Sequence, residues 1–282
     1  MIYILPMTIH DLIIETSRKL EVIGIPSARL DAEVLLAFCL GCDRIDFLKY
    51  PDRRIEDRQL EAFRRMVERR LRMEPVAYIT GRKAFWSFAL EVNPDVLIPR
   101  PDTEVLVEET LAVCQKESLK QPEILDIGTG SGAIALALAC EMPDARVTAT
   151  DISEAALKVA QRNAGSLGLE KAMTFLLGDL FEPVKGRFDI IVSNPPYIDA
   201  TEYETLAPGV KNYEPKQALW AGQTGVEFYE KLVYQAPGRL KEKGWLLFEI
   251  GAKQAEAVRA VMGGFFERID VRTDYAGLSR VI

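Results

Sequence analysis

The segment Ile124-Leu125-Asp126-Ile127-Gly128-Thr129-Gly130-Ser131-Gly132-Ala133 passes from an apolar run through three alternate glycines, and Ile134, Leu136, Ala137 and Leu138 continue after them. This predicts a buried strand, a tight glycine turn and a helix starting at Ala133. The alternation repeats on both sides of it. A strand over Val147–Thr150 closes on Asp151, a helix spans Ser153–Asn163, a strand over Met173–Leu177 closes on Gly178-Asp179, and a strand covers Phe188–Val192. A long loop follows, then a helix over Val226–Leu240, a strand over Trp245–Ile250, a helix over Ala255–Met262 and a strand near Ile269–Arg272. Apolar strands alternating with helices predict an α/β fold on a doubly wound, mostly parallel sheet.

In such sheets ligands bind beyond the carboxyl ends of the strands. Glycines there supply positive φ and let a ligand approach the backbone. Asp151 ends the next strand, 23 residues after Gly128, where a carboxylate can accept both hydroxyls of a ribose. Asp179, with Leu180 after it, ends the third strand, where an adenine would lie. The tips predict one nucleoside site formed by Gly128, Thr129, Gly130, Ser131, Gly132, Asp151, Asp179 and Leu180. The dinucleotide fingerprint G-x-G-x-x-G is not met: position 133 is Ala and the third glycine falls at 132.

Further on, the apolar strand runs into Val192-Ser193-Asn194-Pro195-Pro196-Tyr197. Pro195 pushes Asn194 toward extended backbone, and neither proline can donate a ladder hydrogen bond. The strand therefore stops in a stiff lip with one carboxamide, free carbonyls and one aromatic ring. Asn-Pro also starts ordinary turns. The lip nevertheless fits a planar group bearing an NH2: Asn194 and the Pro195 carbonyl can each accept one N–H, while Tyr197 stacks on the flat face. Such a nitrogen is a poor nucleophile because its lone pair is delocalised. Two acceptors on its hydrogens push electron density back onto it.

Residues 1–76 read as a helical domain. Thr8 can cap a helix ended by Gly24, Pro26-Ser27 opens a second that stops at Gly41, and a third carries Leu60, Phe63, Val67 and Leu71 up to Pro75. None of these helices can bury its apolar stripe alone, so a small bundle is expected. The third helix carries Arg58, Arg64, Arg65, Arg69, Arg70 and Arg72, either as a solvated face interleaved with Glu61 and Glu68 or as a dock for a negatively charged partner. Residues 77–100 read as a hairpin linker, with Phe85–Val92 as a strand and a turn at Asn93-Pro94-Asp95 before Val96-Leu97-Ile98. Pro99-Arg100-Pro101 is rigid enough to line a pocket edge with Arg100. Residues 101–282 carry the sheet.

Composition narrows the classes of function. A hydrophobic share of 48% and a charged share of 27% suit a soluble globular chain, and no apolar run approaches the ~20 residues of a membrane span. Met1–Pro6 lacks the basic flank of a signal peptide, so a cytoplasmic protein is expected, and a monomer. A net charge of −7 argues against broad nucleic-acid binding. Cys39 and Cys42 have half of a zinc spacing without its second half, and His10 is the sole histidine, so no metal site or histidine triad is expected.

Asp126–Gly132 resembles the first motif of class I S-adenosylmethionine-dependent methyltransferases, which are Rossmann-like, and Asn194–Tyr197 resembles the N-P-P-Y motif of those that methylate planar nitrogens. The wider pattern resembles the glutamine methyltransferases of peptide chain release factors, the HemK/PrmC family. It includes Ile98-Pro99-Arg100-Pro101-Asp102-Thr103-Glu104, Ser193–Ile198, Glu214-Pro215 with Ala218-Leu219, and Asp274-Tyr275-Ala276-Gly277. The resemblance implies that Gly128–Gly132, Asp151, Asp179-Leu180 and Asn194 contact S-adenosyl-L-methionine, leaving S-adenosyl-L-homocysteine as product. It also implies that Asn194, Pro195, Pro196 and Tyr197 hold the glutamine of the Gly-Gly-Gln loop of class 1 release factors, for direct in-line methyl transfer to N5 without a general base. Alternatives within reach of the same residues are a glutamine of a ribosomal protein, adenine N6 of DNA or RNA, and a non-catalytic nucleoside-binding role. Relatives complete a last strand where this chain ends at Arg280-Val281-Ile282, which predicts a clipped sheet edge.

Overall fold

A computed structural model describes residues 7–282, in two compact units. Met1–Pro6 and the reading made of them lie outside the described residues.

The first unit comprises residues up to Gly81 together with Pro208–Tyr213. Its helices are α1 (Ile9–Val22), α2 (Ala28–Leu40), α3 (Asp46–Lys49), α4 (Asp57–Leu71) and α5 (Val76–Thr80). Thr8 caps α1 in a reciprocal box with Asp11, and Gly41 ends α2 in the left-handed conformation at φ 63°. Ile9, Leu12, Leu35, Leu36, Phe63 and Val67 form the core. The arginines of α4 are partly used inside the unit. Arg70 pairs with Asp31 at 2.7 Å, Arg69 pairs with Glu74, and Arg65 pairs with Glu61 at 2.7 Å.

The second unit comprises Arg82–Ala207 and Glu214–Ile282. It opens on a hairpin, β1 (Arg82–Phe85) and β2 (Phe88–Glu91), whose register pairs Phe85 with Phe88. The turn therefore falls at Trp86-Ser87, inside the stretch expected to be one strand, and Val96–Ile98 forms no strand. Two distant carboxylates draw the chain around: Glu104 Oε1 accepts from the Trp86 N–H at 2.9 Å and Glu141 Oε1 from its indole N–H at 2.7 Å. The linker's hydrophobic face is part of the sheet unit, because Phe85 and Leu90 are buried in its main core.

After α6 (Glu104–Lys116) the chain alternates through β3 (Glu123–Ile127), α7 (Ala133–Glu141), β4 (Arg146–Asp151), α8 (Glu154–Leu167), β5 (Met173–Leu177) and β6 (Phe188–Ser193). The pair β7 (Ile198–Asp199) and β8 (Trp220–Gly222) brackets three short helices, α9 (Ala200–Thr205), α10 (Pro208–Lys211) and α11 (Lys216–Leu219). Then come α12 (Glu227–Gln235), β9 (Leu240–Phe248), α13 (Ala255–Met262), β10 (Arg272–Thr273) and β11 (Ser279–Val281). The expected helix over Val226–Leu240 stops five residues early at Gln235, where Pro237 sits in a 3-10 turn and removes a helix donor.

The main sheet is wholly parallel, in the order β5-β4-β3-β6-β9. Strands leave β3 in opposite directions, so its carboxyl end beside that of β6 is the topological switch point. The sheet edge is not clipped. Phe248 and Ile282 exchange both backbone hydrogen bonds, at 2.9 and 3.0 Å, and the Ile250 N–H reaches the Arg280 carbonyl at 2.8 Å, so the last residues line β9 antiparallel.

Candidate active site

A cavity of about 290 Å³ opens at the switch point. Its floor is the turn between β3 and α7. The N–H groups of Gly128 and Thr129 both bond the Thr150 carbonyl at 2.9 Å, which ties the turn to the end of β4. Gly128 and Gly130 have φ of 74° and 56° and line the cavity, and a Cβ on either would meet open space. Gly132, at φ 85°, is different: its Cβ would stand 2.9 Å from Leu136 Cδ1, so this glycine serves close packing within α7. Thr129 and Ser131 are buried and do not line the cavity. The Thr129 hydroxyl donates to Asp126 Oδ2 at 2.7 Å, and the Ser131 carbonyl accepts from Asn163 Nδ2 at 2.8 Å.

The walls are acidic. Asp151, a lining residue, takes the Gly130 N–H on Oδ2 and the Ser153 N–H on Oδ1, both at 2.9 Å, which fixes its carboxylate in the wall. Burial pushes its pKa up against those two bonds. Asp179 and Leu180 line the far side, and Ile152 exposes its apolar side chain next to Asp151. Asp126 lies below the turn, fully buried. Burial, with help from the Asp151 charge, pushes its carboxyl up to about 7 although Thr129 pulls it down. Asp126 Oδ1 and the hydroxyl of Thr150, a lining residue, are buried without a hydrogen-bond partner among the described residues.

These features match an adenosine-bearing ligand. Gly128 and Gly130 leave room beside the backbone, Asp151 offers acceptors for a diol, Ile152 and Leu180 offer apolar faces, and the Thr150 hydroxyl awaits a partner.

The lip forms the opposite wall. Ser193 is buried and bonds the Ile127 carbonyl at 2.7 Å, clamping β6 to β3. Asn194, Pro195 and Pro196 all line the cavity. Asn194 Nδ2 donates to Thr103 Oγ1 at 3.2 Å, and its Oδ1 has no partner among the described residues. The carboxamide thus presents an acceptor. Tyr197 is placed differently from its three neighbours in the lip. Its ring packs against the core around Tyr229 and Phe248, its hydroxyl points to Glu249 Oε1 at 3.5 Å, and it does not line the cavity. The Gln254 side chain holds the Tyr197 carbonyl at 2.8 Å and fixes this inward course.

Arg100 does not line the cavity either. It pairs with buried Glu214, which also accepts from the Ile98 N–H at 3.0 Å. This clamp holds the loop of Asp95, Val96 and Leu97 and the segment of Pro215, Gln217 and Ala218, all of which do line it. Sequence reasoning missed Leu97, Ile152, Phe228 and Lys231 in the wall. Only Ile152 had a signal, as an apolar residue placed directly after an acidic strand tip.

Two family models match the chain: the PrmC N-terminal domain over residues 11–81 and the methyltransferase small domain over residues 102–208. The release factor glutamine methyltransferase of Chlorobaculum tepidum is 42% identical over 91% of this chain and 90% of its own length. That of Vibrio cholerae is 41% identical over 98% of this chain and 96% of its own length. Among solved structures, a methyltransferase from Pyrococcus furiosus matches at a TM-score of 0.51 and 22% identity, covering 71% of this chain and 88% of that one, which speaks to the fold alone. With those identities sustained along nearly its whole length, the chain belongs to the release factor glutamine methyltransferase family.

Proposed function

We propose that this protein transfers a methyl group from S-adenosyl-L-methionine to the side-chain amide nitrogen of the glutamine in the Gly-Gly-Gln loop of class 1 release factors. The observation that carries the reading is the lip: Asn194 Oδ1 has no partner among the described residues and stands at the wall of a cavity whose other walls suit a nucleoside. When bound, S-adenosylmethionine supplies a methyl activated by its sulfonium charge. Gly128, Gly130, Asp151, Ile152, Asp179 and Leu180 are the residues that would hold it.

This chain's own contribution is alignment and polarisation. Asn194 Oδ1 and the Pro195 carbonyl accept the two amide hydrogens of the glutamine, which orients its nitrogen lone pair in one direction and restores density to it. Holding the acceptor nitrogen in line is worth roughly 7–11 kcal/mol in well-oriented systems. Nitrogen becomes acidic as it is alkylated, so its proton can leave to water. Tyr197 supports the lip from behind.

Replacing Asn194 by Ala tests this. Turnover on a release factor falls by about 10²–10³-fold, the scale of losing one preorganised polar contact to the reacting group. Cofactor affinity measured by calorimetry changes little. Near-normal turnover by Asn194→Ala would reject the assignment.

A further inference from the structure

We propose that Gln254 is a positioning residue for methyl transfer: its side-chain amide braces the lip against the start of α12 and holds Asn194 and Pro195 where they meet the acceptor nitrogen. The inference rests on the reading of the lip as the grip on the glutamine amide.

The lip is a stiff span held at two ends. Pro195 and Pro196 have a fixed φ, and Asn194 before a proline is confined to extended backbone, so few torsions between Ser193 and Tyr197 are free. Where the ends are placed, Asn194 and Pro195 follow. The first end is pinned to the main sheet: the Ser193 hydroxyl donates to the Ile127 carbonyl at 2.7 Å, and the Ser193 carbonyl accepts from the Glu249 N–H at 3.0 Å. The second end is pinned by Gln254, whose Nε2 donates to the Tyr197 carbonyl at 2.8 Å. Past Tyr197, β7 pairs with β8 in a two-stranded sheet separate from the main one. Gln254 thus ties this end to the connection between β9 and α13.

Gln254 commits its whole amide to backbone. Nε2 also donates to the Gly225 carbonyl at 3.1 Å, and Oε1 accepts from the Gly251 N–H at 3.0 Å. A carboxamide has two donor hydrogens, and here each faces a carbonyl, so the partners fix which way the amide points. Three connections meet at this one side chain: the lip, the turn between β8 and α12, and the turn between β9 and α13. The second matters to the cavity, because α12 begins at Glu227 soon after Gly225 and carries Phe228 and Lys231 into the wall. Two glycines make room for the amide. A Cβ on Gly225 would stand 2.8 Å from Nε2 and 2.8 Å from the Tyr197 carbonyl, and one on Gly251 would stand 2.8 Å from Oε1. Gly251 lies outside the left-handed region, so an alanine there would press on the amide without straining its own backbone.

The test compares Gln254→Met, Gln254→Glu, Gly251→Ala and Tyr229→Phe in the whole protein. The readouts are single-turnover methylation of a release factor at saturating cofactor, cofactor affinity by calorimetry, and amide hydrogen exchange over residues 193–199. Gln254→Met keeps the length of the side chain and removes its three bonds. Gly251→Ala keeps Gln254 but pushes its flexible end off the two carbonyls. Each should slow turnover about 10–100-fold, the scale of a displacement of about 1 Å at the reacting groups, and quicken exchange over residues 193–199. Cofactor affinity should change little, because other bonds hold the glycine turn and Asp151. The double variant should be no slower than Gln254→Met, since both changes remove one brace. Gln254→Glu sets an acceptor against two carbonyls, and its turnover should recover in part as pH falls and the carboxyl gains a proton to donate. Tyr229→Phe removes a hydroxyl that donates to the Glu249 carbonyl at 3.0 Å and leaves the three bonds of Gln254 in place, so it should lose stability and keep turnover. Should Gln254→Met fail to fold, Gly251→Ala decides alone. Near-normal turnover in either folded variant, unchanged exchange over residues 193–199, or an equal loss in Tyr229→Phe would overturn the brace. If wild-type protein methylates no glutamine while exchange still quickens in Gln254→Met and Gly251→Ala, the brace stands and the functional reading falls.

Discussion

Gly130 and Gly132 stand two residues apart in one turn, yet a methyl group on each meets different surroundings. At Gly130 the added Cβ finds open space at the cavity, so Gly130→Ala carries only the left-handed penalty of about 1–2 kcal/mol. It should leave the protein folded while weakening S-adenosylmethionine binding, measured by calorimetry. At Gly132 the same change adds a 2.9 Å encounter with Leu136 to the φ penalty, so the loss should appear in thermal stability first. The buried carboxyls make a second prediction. Asp126 and Glu249 rise from ordinary values of 3.8 and 4.5 to about 7 on folding, so the folded state binds protons more tightly than the unfolded one. Their contribution is full below the unfolded values and is lost as pH climbs through about 7. Melting temperature should therefore fall from about pH 5 to about pH 8. Glu249→Gln should flatten part of that fall, since each tenfold gain in proton affinity on folding is worth about 1.4 kcal/mol.

At the scale of elements, the parallel strands were legible because apolar runs and glycine or acidic tips mark them locally: β5 and α13 have the bounds that pattern predicts. The hairpin was expected in this stretch too, but the place of its turn was not legible. Its turn depends on Glu104 and Glu141 answering the two N–H groups of Trp86, and neither lies near it in sequence. The inward course of Tyr197 was hidden for the same reason, since Glu249 and Gln254 hold it. Asn163 of α8 is another such residue. Its side chain bonds both backbone groups of Glu91, at 2.7 and 3.0 Å, and the Ser131 carbonyl at 2.8 Å, joining the hairpin to the glycine turn. Asn163→Ala should destabilise the protein by roughly 1–3 kcal/mol, because buried backbone groups lose their partner. Denaturant unfolding would measure it, and a change within about 0.5 kcal/mol would show that these bonds are replaced by water.

At the scale of the whole molecule, motifs far apart in sequence meet behind the lip of the sheet unit. Arg100 pairs with Glu214, Thr103 receives Asn194, and Arg280 bridges Asp102 and Asp274. The order of these motifs was readable and pointed to the family, whereas the bonds between them are long-range and no local pattern encodes them. They tie the short segments near residues 100 and 214, 103 and 194, and 102, 274 and 280 together in pairs, and Thr103 is the one of these residues that meets the Asn194 carboxamide. The central claim is that this carboxamide aligns a glutamine amide for methylation. Its most direct test is incubation of the purified protein with S-adenosylmethionine and a class 1 release factor, followed by mass spectrometry of the Gly-Gly-Gln peptide. The account predicts one added methyl on the glutamine side chain with wild-type protein and almost none with Asn194→Ala. An unmodified glutamine, or equal modification by both proteins, would contradict it.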